Sequence, residues 1–514
     1  MLTAMWVAPL VVALLLVPVT RREVLLGAWT ALALLEVVLA ALAWSGVGAP
    51  GYAHEVAVPW IPAFGVGYHV GLDGLSAPLV AMTALVFLAV ALYSMRGDPA
   101  QDGDTDPRRT RGYVLLFLGL EAVSIGLFVA LDLVLFFVFF DVSIVLMYFV
   151  IAGWGSGARA RSALQFFLYT FIGSLVMLLG FLSLAVAAPR PTFDIPTLAA
   201  LDPLAGRGVA GVLTVAAIGI GLAIKTPVWP VHTWLPPAHT DAPAAGSAVL
   251  AAVLLKMGTY GFVRIALPLL PGPWRSVALV AVVLGVVSVL WGALVALAQR
   301  DLKRMVAYTS VNHMGYVLLA VGAAGFLTAG PEARGLAVTG ATVQMVSHGL
   351  ITGALFLLAG VLRERGGTSE IAAWSGVAGP MPRFSWTFAV AAFASLGLPG
   401  LSGFVAEFSI LAGSLPAVPV AAAVAALGLA VTAALFVRAL QSMLLGDRHL
   451  PRAAERVPPR TGAFRRPASP DLRITQTAAV GLLLAASLAI GLAPGLVTAT
   501  IAPAAATVVD LVSR

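Results

Sequence analysis

Stretches of about 20 predominantly apolar residues, the length a helix needs to cross the hydrocarbon of a bilayer, recur along this chain of 514 residues, of which only 10% are charged. They fall near residues 2 to 19, 24 to 43, 75 to 95, 112 to 131, 133 to 152, 162 to 187, 209 to 229, 243 to 270, 276 to 298, 305 to 325, 336 to 361, 384 to 412, 417 to 444 and 475 to 499. The spacing predicts an all-α integral membrane protein with about fourteen transmembrane helices. The first stretch has Arg21 and Arg22 after it and no basic residue before it, the reverse of a signal peptide, so it reads as a retained span.

There is no cysteine, which excludes disulfides, thiolate metal sites and cysteine-held iron–sulfur clusters in this chain. No metal site or cofactor is expected here, and redox chemistry is left to other subunits. A net charge of +7 would suit nucleic acid, but the basic residues occupy short loops between apolar segments, where membrane orientation explains them. Alternate loops hold 21 of the 30 Lys and Arg residues, and the opposite loops hold Arg190, Arg207, Arg275 and Arg334. The positive-inside rule then puts both termini on the outer side. The proline- and arginine-rich stretch from Leu450 to Pro470 reads as a solvated loop.

Only three of the basic residues are lysines, and two of them, Lys225 and Lys256, fall inside spans. An arginine keeps its proton in a protein, whereas a desolvated lysine can release one. An ionisable group in hydrocarbon is costly enough to imply a function. Asp141, between FFVFF and VSIVLMYFVI, is the partner expected for Lys225, either as a proton switch or as a static pair. Lys256 has no acid near it in sequence and reads as a relay.

Two spans contain breaks. KTPVWPVHTWLPP follows Lys225 at once, and SLGLPGLSGFVAEF places Pro399 among Gly397, Gly400 and Gly403. Proline removes a backbone donor, so both helices are expected to break inside the membrane, as in inverted-repeat transporters. Glu407 lies just beyond the second break, as a proton acceptor or as a cap on the broken helix. His313 and His348 are shuttle candidates between Lys256 and Glu407. His232 and His239 lie near the first break without a third ligand of helpful spacing. Glu121 is expected to bias Asp141, Asp132 to cap a helix, and Arg264 to snorkel toward an interface. Glu36 receives no role.

KTPVWPVHTWLPPAHTDAPAAGSAVLAAVLLKMGTYGFVRI, AQRDLKRMVAYTSVNHMGYVLL, QMVSHGLITGALFLLAGVLRER and LGLPGLSGFVAEFSIL resemble the antiporter-like subunits of bacterial NADH:quinone oxidoreductase, respiratory complex I, and the M type most closely. The resemblance runs from about Gly71 to Met443. It implies two inverted five-helix repeats, here 112–270 and 271–445, between helices 1–3 in 1–111 and a loop with a final helix in 446–514. It also implies proton transfer along a central axis, carried by Asp141, Lys225, Lys256 and Glu407. The implied partners are other membrane-arm subunits, especially two sister antiporter-like subunits, together with lipid. FMN, iron–sulfur clusters and quinone are expected in partner subunits, and the implied location is a bacterial plasma membrane. Sister subunits L and N, and the D subunit of Mrp-type Na+/H+ antiporters, usually carry lysine where this chain has Glu407. The family usually has glutamate, followed five residues later by proline, where this chain has Asp141 and Leu146, so the pair with Lys225 is expected to be longer or water-bridged. A subunit of a cation/proton antiporter and an inert membrane scaffold of a hydrogenase-type complex are the alternatives.

Overall fold

A computed structural model describes residues 1–48, 51–95, 106–451, 454 and 471–514. Arg96 and most of the stretch from Leu450 to Pro470 lie outside these residues. The described chain is mostly helical, with 12 helices long and apolar enough to cross a membrane.

At the N-terminus, α1 (Leu2–Leu16) and α2 (Arg22–Ser45) lead into a hairpin of β1 (Ala53–Ile61) and β2 (Val66–Leu72), followed by α3 (Ala77–Ser94). Then come α4 (Pro107–Val129), α5 (Leu133–Trp154), α6 (Arg159–Ala187), the short α7 (Ile195–Leu201) and α8 (Gly208–Lys225). A turn joins α8 to the short α9 (Leu235–Asp241), and α10 (Ala244–Leu269) follows. The second half contains α11 (Pro271–Leu297), α12 (Leu302–Ala323), α13 (Pro331–Gly366), α14 (Pro382–Ser395), α15 (Ser402–Ser414) and α16 (Pro419–Leu444). The chain ends in α17 (Ile474–Leu492) and α18 (Gly495–Val512).

Both expected breaks are present. α8 stops at Lys225, and the proline-rich turn separates it from α9. α14 stops at Ser395, and the turn before α15 places Gly397 and Gly400 at φ of 77° and 94°, conformations that a side chain would strain. The most apolar segments of α10 and α13 are buried along their whole length, so these two helices form the centre of the bundle. α13 has 36 residues, about 54 Å at 1.5 Å per residue. α10 winds as π-helix over Leu250–Leu254 and Phe262–Ala266, on either side of the turn that carries Lys256. Such wide turns displace side chains from their regular positions and favour functional sites.

Close helix contacts depend on glycine. A Cβ on Gly315 of α12 would lie 2.7 Å from the Gly285 carbonyl of α11, and one on Gly292 would lie 2.5 Å from the Asn312 nitrogen. A Cβ on Gly258 would stand 2.5 Å from Thr226 Oγ1, so glycine lets α10 press against the broken end of α8.

Three features depart from the sequence reading. The hairpin is the first. Its strands are too short for a search for membrane-length windows, and β2 docks by donating Gly67 N–H to Asp132 Oδ2 at 3.0 Å. Asp132 also caps α5 as expected, accepting from Val134 N at 2.8 Å and Leu135 N at 3.1 Å. The second is the final span read as 475 to 499, which is two helices separated at Ala493–Pro494. α18 lies on the face opposite the arginine-rich loops, where Trp44 donates to Thr500 Oγ1 (3.1 Å), Arg275 to the Val512 carbonyl (3.1 Å) and Arg334 to Ser513 Oγ (2.9 Å). The third is Arg264, which does not snorkel. It is buried, its Nη2 is 2.5 Å from Asp73 Oδ1, and its Nε donates to the Tyr260 hydroxyl at 2.9 Å. Burial pushes the Asp73 carboxyl up, but the Arg264 guanidinium outweighs it and holds Asp73 below 3.8. A bound countercharge removes the need to reach water.

Two predictions follow from this packing. Gly315→Ala should separate α11 from α12, cost about 1–3 kcal/mol and lower the thermal unfolding midpoint in detergent. Gly335→Ala, with nothing within 4 Å of the new Cβ, should not. On the opposite face, β2 His69 lies between Asp194 and Glu55, whose Oε1 is 2.8 Å from Nε2. The bond to Asp194 raises His69 above 6.5, and that same bond, against the upward push of burial, helps hold Asp194 below 3.8. The clamp's contribution is therefore complete below the ordinary histidine value and is lost as pH rises through the raised one. At the acid end it is lost as pH falls through the lowered Asp194 value. The stability difference between wild type and His69→Gln, measured by thermal unfolding across pH, should shrink on the alkaline side of 6.5.

Candidate functional site

The central helices and the second break bring four of the expected residues into sequence-distant contact. Lys256 Nζ of α10 is 2.5 Å from His348 Nδ1 of α13 and donates to the Ala251 carbonyl at 2.7 Å. That carbonyl is five residues back, within the π-helical segment. The His348 and His313 rings lie 5.5 Å apart between centroids, edge to face. His313 Nδ1 is 3.4 Å from Glu407 Oε1 and 3.2 Å from Gln344 Nε2, and its Nε2 is 3.3 Å from Ser395 Oγ. Lys256, His348, His313 and Glu407 are all buried.

His313 Nδ1 cannot accept a hydrogen bond from Gln344 and donate one to Glu407 in the same tautomer. The neutral ring with hydrogen on Nε2 serves Gln344 and Ser395, and the ring with hydrogen on Nδ1 serves Glu407. A proton moving through this imidazole exchanges one set of partners for the other. Glu407 folds back over the break, so that a Cβ on Gly397 would lie 2.3 Å from its Oε2. Among the described residues, no side chain caps the N-terminus of α15, and the contacts of Glu407 are with His313 and the break rather than with that end. Beside Glu407 is a cavity of about 490 Å³ lined by Leu396, Phe404, Phe408 and Leu415.

The first half is arranged differently. Lys225 Nζ is fully buried at the end of α8, donates to Ser143 Oγ of α5 at 3.2 Å and lies 4.7 Å from the centroid of the Phe140 ring. Asp141 is not its contact partner: no ion pair joins them, and Asp141 Oδ1 has no hydrogen-bond partner. The two charges interact at longer range, as the shorter carboxylate led one to expect, and the direct partner of Lys225 is Ser143. An aspartate is one methylene short of the glutamate usual in the resembling family. Ser143 Oγ also lies 3.4 Å from Sδ of Met257, the residue after Lys256. Glu121 faces α2 rather than Asp141, and its charged neighbour is Glu36. His239 stacks on Phe356 at 4.4 Å, and His232 packs edge to face on Tyr308 at 6.2 Å.

Sequence reasoning missed Lys303. Among the arginines of RDLKR it reads as one more loop cation, but only 1% of it is exposed, and Nζ donates to the Ala242 carbonyl at 2.6 Å. It also missed Gln344, although the spacing of four residues to His348 puts both on one face of α13.

The bundle is a polytopic membrane subunit with titratable groups in contact along its interior, two broken helices and two fully buried central ones. Residues 130–433 match the family described as NADH:quinone oxidoreductase/Mrp antiporter, TM, and the chain belongs to that family. It is 41% identical to F(420)H(2) dehydrogenase subunit M of Methanosarcina mazei over 76% of each chain. It is 39% identical to NADH-quinone oxidoreductase subunit M of Rickettsia conorii over 77% of each. Among solved structures, a chain of respiratory complex I from Thermus thermophilus with bound NADH superposes with a TM-score of 0.85 at 30% identity, covering 100% of both chains. A chain of the Mrp complex from Dietzia sp. DQ12-45-1b gives 0.82 at 25% identity, covering 99% of this chain and 97% of that one.

Lengthening the short carboxylate tests the first half of the site. Asp141→Glu should bring the carboxylate within reach of Lys225 and hold or raise proton transport in reconstituted vesicles. A loss beyond about tenfold, about 1.4 kcal/mol in barrier, would mean that the site is built around Ser143 and the shorter acid.

Proposed function

We propose that this chain is the M-type, proton-translocating membrane-arm subunit of an NADH:quinone oxidoreductase, moving protons through Asp141, Lys225, Lys256, His348, His313 and Glu407. The observation that carries this reading is the contact series Lys256–His348–His313–Glu407, in which each member can gain and lose a proton. As an ammonium, Lys256 donates to the His348 imidazole. Proton transfer along that bond leaves a neutral amine and a charged ring, which passes its charge to His313 and then to Glu407. The adjacent imidazoles disfavour simultaneous charging, so protons pass one at a time.

The two halves, 112–270 and 271–445, are assigned to the inverted repeats, each centred on one break. Asp141 and Glu407 are the ends at which the sister subunits exchange protons with this chain. FMN, iron–sulfur clusters and quinone belong to partner subunits, whose redox chemistry drives the relay. The arginine distribution supports a bacterial plasma membrane protein with both termini outside. A subunit of a cation/proton antiporter is the second reading, favoured by the likeness to a chain of the Mrp complex. A subunit inventory of the purified complex separates the two, since flavin- and cluster-bearing partners accompany only the first.

Glu407→Gln keeps the size and polarity of the side chain but removes its titration. Proton uptake per NADH oxidised by membrane vesicles should fall sharply while the complex stays assembled. Lys256→Arg should do the same, because a guanidinium holds its proton. Full coupling in both variants would take this line of residues out of the pathway.

A further inference from the structure

A second set of buried acids lies away from the line between Lys256 and Glu407. Glu36 of α2 and Glu121 of α4 are completely buried, and none of their four carboxylate oxygens has a hydrogen-bond partner. The two side chains are near enough for their charges to interact. Packing sets their level: Trp29 of α2 lies 5.3 Å from Phe117 and 6.1 Å from Tyr113 of α4 between centroids, and the glutamates follow further along these two helices.

Two other unpartnered groups accompany them. The indole Nε1 of Trp29 is fully buried and faces Glu121 without closing a hydrogen bond. Ser124 Oγ, one turn beyond Glu121, is also buried and unpartnered. The titratable groups on neighbouring helices are engaged elsewhere. Asp141 of α5 interacts with Ser174 and Lys225, Lys256 of α10 meets His348, and Tyr260 of α10 meets Arg264. Tyr93 of α3 lies toward Glu364 and Arg365, and α1 has no titratable side chain.

Two carboxylates with no countercharge and no closed hydrogen bond cannot both remain ionised in hydrocarbon. When two such groups share a site, one holds its proton strongly, as in an acid dyad. The indole N–H is a donor and cannot ligate a cation, so it favours a proton over a metal ion as the occupant. We propose that Glu36 and Glu121 form a proton-binding site between α2 and α4, a pair of neighbouring buried acids that keeps at least one carboxyl protonated, separate from the relay.

Infrared spectroscopy of the assembled complex in native membranes tests this directly. At neutral pH, the difference spectrum between wild type and the Glu36→Gln/Glu121→Gln double variant should contain a protonated-carboxyl C=O band that shifts in D2O. Each single Gln variant should alter the band, because the two acids interact, and adding sodium at fixed pH should leave it unchanged. A difference spectrum with carboxylate bands only would overturn the proposal. So would loss of the wild-type band on adding sodium, which would make the site a cation site, or single-variant differences that simply add up to the double-variant difference, which would make the acids independent. If the double variant does not assemble, the single variants and the wild-type sodium series decide the question alone.

Discussion

Charged groups are expensive in hydrocarbon, and the way this chain meets that cost with neutral partners organises its interior. All three lysines are buried, and none has a carboxylate in contact: Lys256 meets an imidazole and a carbonyl, Lys225 a hydroxyl and an aromatic face, and Lys303 a carbonyl. A carboxylate in contact would fix the proton on the amine. Neutral acceptors solvate the ammonium without trapping it, so the proton remains transferable. Contact ion pairs lie elsewhere, as in Arg264–Asp73, His69 with Glu55 and Asp194, and Glu364 with Arg365 and Arg473. Within the line from Lys256, an imidazole and a carboxyl group approach each other at His313 and Glu407, loosely, at 3.4 Å.

Backbone irregularity supplies the acceptors that this arrangement needs. An uninterrupted α-helix consumes its own carbonyls. The π-helical turn before Lys256 leaves the Ala251 carbonyl for the ammonium, and the break before Ser402 leaves room at Gly397 for the Glu407 carboxylate. Glycine makes the close approaches possible, at Gly258 against Thr226 and at Gly315 against Gly285. The same small residues that weaken a helix let polar side chains from different helices meet in the middle of the bundle.

The face opposite the arginine-rich loops is closed by other means. The hairpin, α7 and α18 lie across helix ends and tie them together, with Asp132 accepting from Gly67, Asp194 paired with His69, and Trp44, Arg275 and Arg334 donating to α18 and the residue after it. Arg264 and Asp73 pair beneath this cover. The buried lysines of the interior are therefore met by neutral partners, and this face by ion pairs and caps.

Length, hydropathy and the placement of proline determined much of this before any contact was known. The membrane spans, the breaks after Lys225 and around Leu398, the cap at Asp132 and the choice of Lys256, His313, His348 and Glu407 as candidates are all local readings, because each depends on how a residue type sits in a run of its neighbours. Tertiary structure decided the rest. The distance between Asp141 and Lys225 depends on how α5 and α8 cross, and no spacing within either helix encodes the bond from Lys225 to the Ser143 hydroxyl. The burial of Lys303 needs the carbonyl of Ala242, 61 residues away, to replace water. Glu36 has no meaning in its own helix and acquires one only where α2 brings it to Glu121. Partners for a buried charge come from other helices, and sequence periodicity describes each helix alone.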